Sequence, residues 1–262
     1  MPPSPEIRIT VLGSGTSVGV PTIGCRCKVC LSDDSRDKRL RPSILIRFEG
    51  RTVLVDTTPD FRAQALRFGI HRLDAILLTH SHADHVSGLD DVRPFNYMQK
   101  EVIPLFGSPQ TLDDVRRRFD YIFNGAASQS SRPKLDCRGF DESGFELFGL
   151  PFLPIRVSHG DGVVWGFRFG PAAYLTDHSD IPGESLEKLN DLDVLFLDGL
   201  RYKPHPTHST IQRSLGYVER LKPRRTFLTH ICHDLGHARA ESLLPEHVRL
   251  AYDGLEIVVE AG

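Results

Sequence analysis

The feature that most constrains this chain is a dense group of potential metal ligands directly behind a short apolar strand. The strand is predicted over Ala75–Leu78, and His80, His82, Asp84 and His85 follow it within seven residues. Residues two apart in extended backbone point the same way, so His80 and His82 can converge on one ion. If the chain turns next, Asp84 and His85 can face a second ion. Imidazole and carboxylate together suit zinc, manganese or iron, whereas the alternative is a solvated polar loop.

The length and charge of the chain limit the class of protein in which this motif can occur. The chain has 262 residues, a net charge of −2, 40% hydrophobic and 25% charged residues, as is ordinary for a soluble globular protein. No stretch approaches 18 uninterrupted apolar residues, which argues against a transmembrane helix. Residues 1–6 lack the basic and apolar regions of a signal peptide, so we expect a cytoplasmic protein. We expect one domain over residues 1–262, without a broad basic surface for nucleic acid.

Hydrophobic patterning predicts a layered α/β chain in which strands outnumber helices. Strands are predicted at Ile7–Leu12, Ser43–Phe48, Thr52–Val55, Ala75–Leu78, Phe152–Val157, Val163–Phe169, Ala172–Thr176, Val194–Leu197, Thr226–Thr229 and Ile257–Val259. Helices are predicted at Pro59–Phe68, Pro109–Phe119, Glu184–Asn190 and Ser209–Leu221. The polar, Gly- and Ser-containing segment 124–144 is predicted to form a loop or lid.

Further potential ligands stand behind other predicted strands. His159, Asp177 and His230 each follow an apolar run. Taken alone, a His or Asp after a strand is more often a cap or a surface residue. Because one motif cannot complete two metal sites, their shared placement favours convergence on the same centre.

This order of ligands resembles the metallo-β-lactamase superfamily over nearly the whole chain. The resemblance implies a four-layer αββα sandwich with a dinuclear centre at one edge of two facing sheets. It implies that the first metal ion is held by His80, His82 and His159, and the second by Asp84, His85 and His230. It further implies that Asp177 bridges two divalent cations (Zn or Mn), and that Asp56 supports the metal-binding loop. Asp84 is also expected to be catalytic.

A second cluster places three thiols, those of Cys25, Cys27 and Cys30, within six residues. Disulfides are disfavoured in a cytoplasmic protein, and the total of five cysteines leaves one unpaired. A structural zinc needs four ligands, so a fourth must come from elsewhere. The candidates for that fourth ligand are Cys137, Cys232 and His233.

The glycine-rich segment 13–30 and the run 228–233 resemble one branch of the superfamily, which contains the phosphoribosyl 1,2-cyclic phosphate phosphodiesterase. That resemblance implies a structural zinc held by Cys25, Cys27, Cys30 and His233. It gives no role to Cys137 or Cys232. His237 departs from the pattern of the branch and is likewise unassigned.

Substrate contacts are expected from the same resemblance. It makes His208 a general acid or a phosphate ligand, and Arg93 a contact to the substrate phosphate. The alternative for His208 is a place beside the cap of the helix that begins at Ser209. Weaker candidates are His205, Arg201 and Lys203, and for the cationic side chains the alternative is solvation at the surface.

These features predict a metal-dependent phosphodiesterase acting on a small cyclic or nucleotide-like phosphodiester. A hydroxide held between the two metal ions would be the nucleophile. One alternative is a nuclease of the tRNA 3′-end type, which the net charge and the lack of a basic arm disfavour. Another is a non-hydrolytic role like that of the pyrroloquinoline quinone biosynthesis relative, which the complete set of seven ligands disfavours. A homodimer is an open alternative, since relatives of this branch are often dimers.

Overall fold

The computed structural model describes residues 6–124 and 131–260, and within them two seven-stranded mixed sheets face each other. The strands are β1 (Glu6–Gly13), β2 (Ser43–Phe48), β3 (Arg51–Val55), β4 (Ala75–Leu77), β5 (Ile103–Gly107), β6 (Leu135–Gly139), β7 (Phe145–Leu147), β8 (Leu150–His159), β9 (Gly162–Phe169), β10 (Ala172–Leu175), β11 (Val194–Asp198), β12 (Arg225–Thr229), β13 (Val248–Leu250) and β14 (Glu256–Glu260). The first sheet has the order β14-β1-β2-β3-β4-β5-β6, and the second has the order β13-β12-β11-β10-β9-β8-β7.

Helices cover the outer faces of both sheets. They are α1 (Phe61–Arg67), α2 (Ala83–Val86), α3 (Arg93–Gln99), α4 (Pro109–Arg118), α5 (Asp120–Phe123), α6 (Gly183–Glu187), α7 (Ile211–Leu221) and α8 (His237–Glu241), with short 3-10 turns at Ser35–Asp37 and Leu89–Val92. The two longest begin at capped ends. Ser108 accepts a hydrogen bond from the backbone N–H of Thr111, and Thr210 accepts one from that of Arg213.

Three apolar clusters separate four layers. One lies between the sheets, a second lies between the first sheet and α1, α3 and α4, and a third lies between the second sheet and α6, α7 and α8. Strand alternation produces this division. In β3, Val53 and Val55 belong to the cluster between the sheets, whereas Leu54 faces the helices. The predicted four-layer αββα sandwich is therefore confirmed.

Parallel strands carry the chain to one edge of this sandwich. β3, β4 and β5 are parallel neighbours in the first sheet, as are β10, β11 and β12 in the second. Carboxyl ends of parallel strands meet at the same edge, where open α/β sheets bind their ligands. The two sheets are joined close to that edge, where the N–H of Trp165 in β9 donates to the carbonyl of Thr79 beyond β4 at 3.0 Å.

Every predicted strand and helix overlaps an observed element, but the prediction of a loop or lid over 124–144 is wrong in part. Leu135–Gly139 forms β6, a largely exposed strand beside β5, while residues 125–130 lie outside the described ranges. Its polar sequence lacks the apolar alternation of a strand with a buried face, as is common at sheet edges.

No helix in the described ranges is long and apolar enough to cross a lipid bilayer.

Candidate metal centre

Sharp turns at strand ends bring the candidate ligands to one edge of the sandwich. Asp56 follows β3, Asp177 lies two residues beyond β10, and His230 follows β12. These three have backbone φ angles of 66°, 54° and 59°. Left-handed backbone is unfavourable for residues other than glycine and clusters at functional sites. Each strand therefore ends in a turn that places a polar side chain over the edge of its sheet.

The first ligand group contains His80, His82 and His159, with one ring nitrogen from each within 4.8 Å of the others. Nε2 of His80 lies 3.0 Å from Nδ1 of His82. Nδ1 of His159 lies 2.8 Å from the carbonyl oxygen of Thr207, to which it donates. That bond fixes the tautomer of His159 and leaves its Nε2 with a lone pair for a ligand.

The second ligand group contains Asp84, His85, Asp177 and His230, with one donor atom from each within 4.8 Å of the others. Nε2 of His85 lies 3.3 Å from an oxygen of Asp84 and 3.3 Å from an oxygen of Asp177. The other oxygen of Asp177 lies 3.2 Å from Nε2 of His230. Asp177 thus stands between the two histidines of this group.

The donor atoms of the second group approach one another without forming hydrogen bonds. Nε2 of His85 and both ring nitrogens of His230 are buried and have no hydrogen-bond partner. Buried polar atoms are nearly always satisfied, so each such atom requires an explanation. A cation bound among two imidazoles and two carboxylates supplies the missing partner, and this donor set suits zinc, manganese or iron. The residues present therefore fit a divalent metal ion.

A fully buried carboxylate organises the loop that carries four of these ligands. Asp56 accepts hydrogen bonds from the N–H of Thr79 at 2.9 Å and from its hydroxyl at 2.8 Å. It also accepts one from Nδ1 of His85 at 2.7 Å. Asp56 thereby fixes the imidazole of His85, so that Nε2 points toward the other members of the second group. This is the role expected of a residue that supports the metal-binding loop.

A second buried carboxylate, that of Asp198, holds His208 in the same way. Nδ1 of His208 donates to Asp198 at 2.8 Å, and the His208 ring stacks on His230 with centroids 4.5 Å apart. One nitrogen of His208 also lies within 4.8 Å of donor atoms of His159 and Asp177. The sequence analysis missed Asp198, although an acidic residue at the end of an apolar run is the same signal that singled out Asp177.

Burial and mutual charge shape the protonation of the site. Burial lowers the pKa of His80 well below its usual value and that of His230 to about 4, which favours the neutral imidazole that binds metals. Burial opposes a charged His85, but the surrounding carboxylates outweigh it and raise the pKa of His85. Burial likewise raises the pKa of Asp177, but His230 and His85 outweigh it and hold the pKa well below its usual range.

The cysteine cluster gathers around one imidazole nitrogen. Nδ1 of His233 lies 3.2 Å from Sγ of Cys25, 3.7 Å from that of Cys27 and 3.4 Å from that of Cys30. A tetrahedral zinc with Zn–S bonds of about 2.3 Å and Zn–N bonds of about 2.0–2.1 Å separates S from N by about 3.6 Å. A hydrogen bond from the N–H of Cys30 lowers the pKa of Cys27 to about 7, toward the thiolate that binds metal. These four residues fit a zinc ion.

Other predicted residues lie apart from both groups. Arg93 pairs with Asp90 at 3.0 Å and donates to the carbonyl of Ser131, so its contact to substrate stays a prediction. His205 lies beside His208, with ring centroids 5.0 Å apart. Nδ1 of His237 accepts a hydrogen bond from the buried Arg39 at 2.9 Å, which gives it a structural role.

Neither remaining cysteine belongs to the cluster around His233. Cys137 lies in β6, and the buried Sγ of Cys232 accepts a hydrogen bond from the N–H of Asp234. Arg201 donates to the carbonyls of Lys203 and Pro204 and thus shapes the loop before His208.

Comparison with known proteins shows which family shares this architecture. The family model described as a beta-lactamase superfamily domain matches residues 51–231. An octanoyltransferase from Porphyromonas gingivalis is 39% identical over 257 residues, which cover 97% of this chain and 52% of that protein. The chain spans about half the length of the curated relatives it matches.

Solved structures extend the likeness over the full chain. The crystal structure of a diphosphatase from the PhnP family superposes with a TM-score of 0.93 at 49% identity, covering 98% of each chain. Zinc-bound PqqB from Methylobacterium extorquens superposes with a TM-score of 0.77 at 22% identity, covering 95% of this chain and 99% of that one. At this identity the second likeness shows the fold alone.

Proposed function

The chain belongs to the beta-lactamase superfamily, and on that premise we propose that it is a metal-dependent phosphodiesterase acting on a small cyclic or nucleotide-like phosphodiester. The observation that carries the proposal is the pair of adjoining ligand groups at one sheet edge. Asp177 contributes to the second group and also lies within 4.8 Å of His159, a member of the first. A carboxylate between two groups of donors is suited to bridging two cations.

Membership of this superfamily implies that the protein binds divalent metal. We assign one ion to His80, His82 and His159, a second to Asp84, His85 and His230, and a bridging position to Asp177. When bound, two such ions would neutralise the anionic phosphodiester and activate a water molecule as the nucleophile. We infer zinc or manganese, because mixed imidazole and carboxylate ligands accept both. Cys25, Cys27, Cys30 and His233 are assigned to a separate structural zinc.

The chain itself supplies a group to protonate the departing alkoxide. His208 borders both ligand groups, and its Nδ1–H is held by Asp198. That contact leaves Nε2 as the nitrogen available to the substrate. With Nδ1–H held by Asp198, only the doubly protonated imidazolium has an Nε2–H that can protonate the departing alkoxide. Asp198 fixes the ring orientation and favours that form, so we assign it a positioning role and His208 the role of general acid.

The similar solved structure supports hydrolysis at phosphorus, because that protein is a diphosphatase of the PhnP family. Octanoyl transfer is not carried over from the Porphyromonas gingivalis relative. That protein is about twice as long as the aligned segment, so its name does not identify what the matched half does. A homodimer and a cytoplasmic location stay predictions.

The proposal is tested by metal analysis with a substrate panel. The panel contains bis-p-nitrophenyl phosphate, 2′,3′-cyclic nucleotides, ribosyl cyclic phosphates and a tRNA precursor. His82→Ala should abolish phosphodiester turnover and lower the metal content. His71→Ala is the matched control, since His71 is exposed and belongs to no ligand group. Full activity in His82→Ala would refute the dinuclear assignment, and faster turnover of the tRNA precursor would favour a nuclease.

A further inference from the structure

A cavity of about 860 Å³ opens beside the first ligand group and is not used by the chemistry described above. His82 and His159 form one side, and the strand residues Val163 and Trp165 form part of another. Its volume lies within the range of roughly 300–1,000 Å³ of sites that hold whole small molecules. The cavity is therefore far larger than a phosphate group requires, and it has room for the organic part of a substrate.

The charge of this cavity argues against a second anionic group. None of the described residues that line it is a lysine or an arginine, and Asp114 contributes a carboxylate. Two arginines reach residues of the rim, but Arg117 is paired with Asp114 and Arg118 donates to the carbonyl of Ser81. An additional phosphate or carboxylate would therefore have to compete for cations that are already engaged, which is costly. The part of the substrate that enters this cavity should therefore be uncharged.

Trp165 gives the cavity an aromatic wall. Its backbone N–H donates to the carbonyl of Thr79, which places the residue beside the loop of the first ligands. The indole packs edge-to-face with Phe140, with centroids 5.5 Å apart and an interplanar angle of 82°. The side chain is half-buried, so Phe140 holds it in place while part of it remains accessible from the cavity. Such a fixed aromatic ring is a stacking platform for a planar group.

We propose that this cavity binds the uncharged nucleobase of a small nucleoside phosphodiester, with Trp165 as the stacking partner. The proposal rests on the proposed function, which places the phosphodiester at the adjoining metal ligands. Ser108 and Thr111 also line the cavity, and their hydroxyls hydrogen-bond each other at 2.9 Å at the start of α4.

Trp165 makes the test direct because it is the chain's single tryptophan. Titration of the full-length protein with adenosine should quench the intrinsic fluorescence saturably, after correction for absorbance. Ribose and inorganic phosphate should leave it unchanged. This readout needs no turnover, so quenching by adenosine in a protein that cleaves no phosphodiester would support the base site and refute the proposed function. Absence of saturable quenching, or equal quenching by phosphate, would overturn the base site.

A blocking variant shows whether adenosine occupies this cavity. Val163 lines it and is 43% exposed, so Val163→Arg should fill the cavity and abolish the quenching. Val258→Arg is the matched control, because Val258 is a strand residue with 39% exposure outside the cavity. Adenosine quenching that survives in Val163→Arg as in Val258→Arg would place the nucleoside elsewhere and refute the proposal.

Kinetics then separate a stacking role from a structural one. In Trp165→Leu, KM for 2′,3′-cyclic AMP should rise about 5- to 150-fold, the range that base–aromatic stacking contributes. KM for a ribosyl cyclic phosphate without a base should stay within about twofold, and Trp165→Phe should restore most of the affinity for the nucleotide. An equal rise in KM for both substrates would refute stacking. A tRNA precursor bound better than 2′,3′-cyclic AMP would refute the small-molecule class.

Discussion

Gly88 is a position at which one added methyl group should disturb the metal centre without touching a ligand. It follows α2, the helix that carries Asp84 and His85, and its N–H donates to the carbonyl of Thr57 at 2.9 Å. A Cβ atom at Gly88 would lie 2.0 Å from the carbonyl oxygen of Thr58. Real Cβ contacts begin at about 3.0 Å, so Gly88→Ala requires the backbone of α2 or of the loop after Asp56 to move by about 1 Å.

This clash should be expensive because the obstacle is backbone rather than a flexible side chain. Overpacking costs typically 1–3 kcal/mol, and the hydrogen bond to Thr57 would lengthen as well, so we expect about 3 kcal/mol for Gly88→Ala. For a chain of this size the loss corresponds to a decrease in Tm of about 6–12 °C. Displacement of Asp84 and His85 should also weaken metal binding by about 10- to 100-fold.

The assay combines thermal unfolding with competition for metal by a chelator. Gly139→Ala is the matched control, since a Cβ at Gly139 would meet nothing within 4 Å and the substitution should change stability by less than about 1 kcal/mol. Equal Tm and equal metal affinity in Gly88→Ala and Gly139→Ala would refute the claim that this contact positions the ligands.

Three further predictions follow from other buried groups. Cys27→Ser should remove about one equivalent of tightly bound zinc and several kcal/mol of stability, whereas an unchanged zinc count by native mass spectrometry would reject the structural site. Asp198→Asn replaces the carboxylate that holds Nδ1–H of protonated His208 with an amide, which does not favour the imidazolium; kcat should fall about 10- to 100-fold with metal content kept, and an unchanged kcat would refute the positioning role. Burial raises the pKa of Asp253 to about 6, so the folded wild-type protein binds more protons than the unfolded chain between pH of about 4 and 6 and loses stability as pH rises. Relative to wild type, Asp253→Asn should therefore gain about 3 kcal/mol over that window in urea unfolding, and parallel pH curves would contradict this.

Much of the fold was predictable because the inter-sheet core imposes simple alternation on long strands. Ser43–Phe48 was predicted with its observed bounds, and the layer assignment followed from such apolar runs. Strands without that pattern escaped prediction. Ile103–Gly107 contains Pro104, and Leu135–Gly139 is a polar strand paired along β5, so neither carries the hydrophobic signal of a central strand. Their pairing depends on tertiary contacts.

The ligand residues were predictable for a different reason. Imidazole and carboxylate groups directly behind apolar strands are costly to place by chance, and the superfamily resemblance supplied their division between two ions. No sequence pattern showed the direction in which these side chains point. The left-handed backbone of Asp56, Asp177 and His230 is visible only in the structure, because none of the three is the glycine that such backbone favours.

Two buried acidic side chains, one from each sheet, fix the positions of the histidines at this edge of the sandwich. Asp56 directly follows a strand of the first sheet and holds His85, whereas Asp198 is the last residue of a strand of the second sheet and holds His208. Each fixes an Nδ1–H and thereby directs Nε2 toward the space between the sheets. Because both acidic side chains are fully buried, the imidazoles they hold cannot turn away without leaving a buried polar group unpaired, which is costly. The geometry of this edge therefore depends on residues outside both ligand groups, and substitutions there should alter catalysis while leaving the ligand set intact.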